Sequence, residues 1–217
     1  MSENNLRLLR FDNAALLPSG SLPHATRIIE SFVPPDKQSM QLQADTLDFC
    51  RTHPDALNRT CIPGHITASA FLLDPSHNRF LLHHHRKLQL WLQFGGHCES
   101  GNLPGESLRE AQEESGIKEL AIHPSPMDLD IHRVSPPGKT PHLHYDCAFL
   151  VIAPPDAEAK RSEESLDLGW FSCNKLETAP PTAITPIMTT SGKTQEIVLE
   201  KRLHRLAVIS KRLAALL

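Results

Sequence analysis

At 217 residues the chain is long enough for one well-buried core with a smaller appendage. Apolar residues make up 40% and charged residues 22%, the balance of an ordinary globular domain. A formal charge of -3 excludes strong general attraction to nucleic acid or an anionic membrane, although protonation of some of the 13 histidines would change it below neutrality.

Cys50, Cys61, Cys98, Cys147 and Cys173 are widely scattered. Their odd number and lack of short paired spacings argue against a disulfide framework or a zinc knuckle, and for reduced thiols in a cytosolic protein. The N-terminus carries Glu3 and Asp12 without a signal-peptide core, and no apolar stretch spans a bilayer. A cytoplasmic protein with neither a membrane nor a nucleic-acid partner is therefore expected.

Residues 1–61 differ in pattern from the rest of the chain. Ala25 to Val33 predicts a short helix ended by Pro34-Pro35, and Met40, Leu42, Leu47, Phe49 and Cys50 predict a second that closes near His53-Pro54. Such a helical extension either completes the core or serves as a lid over substrate or a homodimer contact, with core completion favoured.

Ile66 to Leu73 and Arg79 to His84 read as a hairpin about the turn Asp74 to Asn78, and Leu90 to Phe94 as an extended piece ending at Gly95-Gly96. From Gly105 the period becomes helical: Leu108, Ala111, Gln112 and Ser115 mark one side, Glu106, Glu110, Glu113 and Glu114 another, and Gly116 the end. Ile131 to Val134, the long run His142 to Ile152, and Glu163 to Phe171 predict further strands. Thr178 to Pro186 is proline-punctuated and predicts a loop. Ile197, Leu199, Leu203, Leu206, Ile209, Leu213 and Leu216 predict a terminal amphipathic helix packed on the core.

The acidic helix carries the chemistry. Glu110, Glu113 and Glu114 fall on adjacent parts of one helix surface, where their mutual repulsion becomes coordination if a hard divalent cation is held there. Gly95 and Gly96 permit close backbone approach to a ligand, so a loop bearing them would set the acids beside bound phosphates. Arg109 cannot act as a base and is expected to buttress the acids through a carboxylate pair. A plain solvated acidic helix is the competing explanation, disfavoured by the combination of glycines, arginine and ordered acids.

These residues resemble the Nudix hydrolase box. Arg109, Glu110, Ala111, Glu113, Glu114, Gly116 and Ile117 match its ending position by position, and Leu72 to Trp91 is similar to the usual approach to it. The box is a variant one: counted from Gly96, Asn102 takes the place of its isolated glutamate and the interval to Arg109 is one residue short. Counted from Gly95, that place falls to Gly101. Glu99 or Glu106 would have to compensate, Glu106 being favoured as one helical turn before Glu110.

The resemblance implies an α/β fold, a Nudix-like α/β/α sandwich with a mixed β-sheet. It places the catalytic core at residues 62–176, after a 1–61 extension or lid and before a 177–217 proline-rich loop and terminal helix. It also implies a pyrophosphohydrolase that uses Mg2+ or Mn2+ on a small nucleotide or nucleoside-diphosphate derivative. Glu110, Glu113 and Glu114 would be its metal ligands, and Glu113, Glu114 and Arg109 its catalytic residues.

Gly95, Gly96, His97, Arg86 and His144 are the substrate-binding candidates. For His97 and His144, phosphate contact or proton transfer weighs evenly against a polar strand edge with incidental transition-metal affinity. Glu163 and Glu164 are either a further acid of the site or a charged loop, and Trp91 is expected to be buried. Catalytic zinc is disfavoured by the adjacent carboxylates and the lack of a mixed zinc motif. A nucleotide-binding or regulatory protein of the same fold with little turnover is the alternative, and would explain the altered first half of the box.

Overall fold

The computed structural model describes residues 7–136, 138, 140–173, 184–198 and 201–217. Among the described residues eleven strands join in one mixed sheet: β1 (Leu9–Arg10), β2 (Gly64–Leu73), β3 (Arg79–His85), β4 (Leu90–Leu92), β5 (Phe94–His97), β6 (Ala121–Ile122), β7 (Asp128–Val134), β8 (His142–Ile152), β9 (Ser165–Ser172), β10 (Ile184–Thr189) and β11 (Thr194–Val198). The helices are α1 (Leu22–Glu30), α2 (Lys37–Thr52), α3 (Leu103–Ser115) and α4 (Lys201–Ala214).

The main order is β1-β6-β8-β2-β3-β9-β10-β11, with β4, β5 and β7 branching from β3, β2 and β8. β2 and β8 run parallel along their whole length, from Gly64 opposite Leu143 to Leu73 opposite Ile152. On its other edge β2 forks: Thr67 to Ala70 pair with β5, whereas only Leu72 and Leu73 pair with β3.

Side chains alternate across a strand, so β2 presents two unlike faces. Ile66, Ala68, Ala70 and Leu72 join a core with Ala25 and Ile29 of α1, Phe49 of α2, and Leu103, Leu108 and Ala111 of α3. Phe71 and Leu73 join a second core with Leu203, Leu206 and Ala207 of α4. Helices thus cover both faces, the α/β/α sandwich expected. Trp91 lies in the second core, with His84 stacked on it at 5.2 Å.

Several boundaries differ from expectation. α1 begins at Leu22 and α3 at Leu103, because Ser21 and Asn102 cap them and Pro23 and Pro104 fit the first turn, where no N–H is needed. The stretch Leu90 to Phe94 is split at Gln93, and Gly95 and Gly96 are strand residues of β5, not a loop.

Ile184 to Pro186, expected as loop, open β10, and Ile197, expected on the terminal helix, lies in β11; the two strands pair as a hairpin whose turn uses Gly192 at φ 78. Pro186 precedes the stretch of β10 paired with β9, an edge position that tolerates a missing N–H. Thr178 to Ala183 and Leu199 lie outside the described residues. The first 61 residues also add β1, an edge strand on β6.

Candidate active site

α3 is set on the sheet by its apolar side and by Ser107 Oγ, which donates to the Ser69 carbonyl of β2 at 2.9 Å. Its first turn is fixed by Asn102, the buried residue that takes the isolated-acid position when the box is counted from Gly96. The side-chain oxygen accepts from Gly105 N at 3.2 Å, while Nδ2 donates to the carbonyls of Ala15 and Leu17 at 2.8 and 2.7 Å. A glutamate could not make those two donations, so the position serves to fasten the N-terminal segment onto α3.

Arg109 gathers the acids. Its Nε donates to Glu106 at 2.9 Å, Nη1 to Glu113 at 2.8 Å and Nη2 to Glu110 at 2.5 Å. Of the two acids weighed as compensation, Glu106 is therefore in this network, whereas Glu99 pairs with Arg59 at 2.7 Å. The Glu110 carboxylate lies against Gly96; a Cβ there would sit 2.5 Å from Glu110 Oε1, so any larger residue would push the carboxylate out of this position. Burial raises the Glu110 pKa, against the opposing pull of Arg109.

Glu114 faces inward, and Gly95 N donates to it at 3.1 Å. Burial pushes its carboxyl up to about 8; the Gly95 N–H opposes this, and Glu110, Glu164 and Glu113 add to it. His83 Nδ1 lies 3.8 Å from Glu114 and 3.0 Å from Ser165 Oγ. Burial holds His83 down to about 4, so at neutral pH the imidazole is uncharged and the contact is not an ion pair.

The other sequence candidates are placed differently. Arg86 Nε donates to the Glu163 carbonyl at 2.8 Å and Nη2 to the Ser165 carbonyl at 3.3 Å, stapling the loop before β9 to the turn after β3. Along β5, Gly96 pairs with Ala68 and His97 with Thr67, so their substituents point to opposite faces. Glu110 is on the Gly96 face. His97 and His144 stand on the other, together with His65, which the sequence pattern did not single out.

Imidazole nitrogens of His65, His97 and His144 all lie within 4.8 Å of one another, forming a cluster able to hold a metal ion; burial and the neighbouring His65 and His132 push His144 down to about 3, leaving it neutral. The polar alternation His65-x-Thr67-x-Ser69, parallel to His142-x-His144-x-Asp146, was the available signal. Cys98 is buried with its thiol pushed up to about 12 by burial, which removes it as a nucleophile.

The acidic site fits a hard divalent cation. Its donors are carboxylate oxygens, and buried Glu114 and partly buried Glu110 both have raised pKa values that a cation would lower. Among the described residues, no helix is long and apolar enough to cross a membrane.

No protein-family model matches the chain, and no curated protein matches it. Solved structures do. A Nudix-family hydrolase from Clostridium perfringens is similar at 24% identity and a TM-score of 0.50, covering 70% of this chain and 98% of that one. A Nudix hydrolase from M. smegmatis is 16% identical over 70% and 87% of the two chains, with a TM-score of 0.45. The E. coli dihydroneopterin triphosphate pyrophosphohydrolase is 18% identical over 50% and 81%, with a TM-score of 0.40. The first of these shows the fold: the chain is a Nudix-like α/β/α sandwich.

Proposed function

We propose that the chain is a divalent-cation-dependent hydrolase that cleaves a phosphoanhydride in a nucleoside-diphosphate-linked substrate. The observation that carries this reading is buried Glu114 beside Glu110 on α3, pressed against Gly95 and Gly96 of β5 in a Nudix-like fold. Glu110, Glu113 and Glu114 would hold Mg2+ or Mn2+, which when bound would offset phosphate charge and lower the pKa of water. Arg109 keeps Glu110 and Glu113 oriented, and Glu113 or Glu114 takes the proton from attacking water. A phosphate would approach along the edge of β5 that β2 does not pair, and Arg86 would add positive charge from the turn after β3.

The test is chromatographic product analysis on a panel of nucleoside diphosphate derivatives with Mg2+ or Mn2+. Glu114→Gln should remain folded and lose metal-dependent turnover by at least about 100-fold. Full activity in that variant would overturn its role. Asn102 in the place of the isolated acid favours the second reading, a binding or regulatory protein; absence of cleavage across the panel, with cation-dependent nucleotide binding retained, would select it.

A further inference from the structure

The histidine cluster is built by register. β2 and β8 place His65 directly beside His144, and β5 places His97 opposite Thr67, two residues along β2 on the same face. The rings converge: His65 lies 4.9 Å from His97 and 4.8 Å from His144, centroid to centroid, and His97 to His144 is 5.9 Å. His65 is buried, whereas His97 and His144 are partly exposed, and the ring of His142 borders the cluster 4.9 Å from His65 and 5.3 Å from His144. Three strands far apart in sequence thus contribute one imidazole each.

The cluster differs from the acidic site in position and in donor type. Glu110 packs at Gly96 on the α3 face, and the histidines occupy the opposite face. Imidazole suits borderline transition cations such as Zn2+ and Co2+, whereas Mg2+ takes oxygen ligands and binds nitrogen poorly. Three protein nitrogens match a four-coordinate ion whose last position is taken by water or a small ligand. The nitrogen spread of up to 4.8 Å must tighten, and rotation of the two partly exposed rings supplies that movement.

We infer that His65, His97 and His144 form a second metal site, which takes a borderline divalent transition cation such as Zn2+ and cross-links β5 to β2 and β8 on the face opposite the acids. Because His97 follows Gly96, the bound ion fixes the strand against which Glu110 rests.

The experiment is a titration of metal-stripped, tag-free full-length protein with Co2+, read by visible absorption. One equivalent should give the bands of a four-coordinate site, Zn2+ should displace it, and excess Mg2+ should not. His97→Gln and His144→Gln, checked for folding by circular dichroism, should weaken Co2+ binding by at least about 100-fold, beyond the effect usual for changes to a ligand's outer partners. Glu114→Gln, which alters only the acidic face, should leave the four-coordinate bands unchanged.

Absence of the bands, binding unchanged in the histidine variants, or binding lost in Glu114→Gln would overturn the site. X-ray absorption at the cobalt edge of the parent protein requires no variant: three imidazoles support the assignment, and one or none refutes it. Failure here is distinguishable from failure of the hydrolase reading, which is measured by Mg2+-dependent cleavage on the other face.

Discussion

Glu114 shows how much a single side chain can owe to its surroundings. In the unfolded chain its carboxyl ionises near 4.5, and in the fold near 8, so between those values the folded protein holds a proton that the unfolded one releases. The resulting contribution is fully present below about 4.5 and is lost as pH rises through about 8. With Glu114→Gln the metal-free protein should lose this slope. Denaturant melts in a chelator from acid to mildly alkaline pH would then show a flatter profile, the difference amounting to a few kcal/mol. Identical slopes in parent and variant would mean that Glu114 is not desolvated. Helical spacing was enough to put Glu110, Glu113 and Glu114 on one surface, but not to say that Glu114 alone turns inward while Glu113 stays exposed. That distinction arises from where the fork between β3 and β5 receives the helix, a long-range fact.

At the scale of elements, most strands and helices were legible because their apolar periods are unambiguous, as in Ile66 to Leu73 and His142 to Ile152. The misses have specific causes. Capping by Asn102 and Ser21 moved two helix starts toward the N-terminus, and the β10–β11 hairpin overrode a helical pattern that had claimed Ile197. The histidine cluster depends on strand register, which a linear pattern does not fix. Asn102 gives the sharpest test of the altered box. Asn102→Ala removes an N-cap and the donors to Ala15 and Leu17, and should cost about 1–3 kcal/mol in chemical denaturation. Asn102→Glu, which restores the residue type of the box it resembles, should destabilise the fold as well and fail to raise turnover, since its longer carboxylate neither fits the cap nor donates to Ala15 and Leu17. A faster and equally stable Asn102→Glu would show that the position is chemical after all.

Across the whole molecule, α4 does for the second face what α1 to α3 do for the first, but it does so through charge as well as packing. Beside the apolar core of Phe71, Leu150 and Leu206, three acids line the sheet: Asp128 and Asp130 on β7 and Asp146 on β8. Arg202 pairs with Asp146, and Arg205 donates to Asp128 at 2.6 Å. Asp146 is fully enclosed, also accepting from Thr67 and Ser69 at 2.7 and 2.6 Å. Burial alone would raise its pKa, but Arg202 and the two hydroxyls hold it down to about 2. It lies between the strand positions of His144 and the apolar core, so α4 is tied to the sheet at the point where polar chemistry begins. Removing the cation strands the carboxylate. Arg202→Leu should therefore destabilise the protein by about 3–5 kcal/mol at neutral pH, the usual cost of breaking a buried pair from one side. Adding Asp146→Asn should recover a large part of that loss, because no uncompensated charge remains. Thermal melts of the two single variants and the double variant form a cycle that isolates the pairing. Strict additivity would mean that Arg202 and Asp146 do not couple and that this pair does not hold α4.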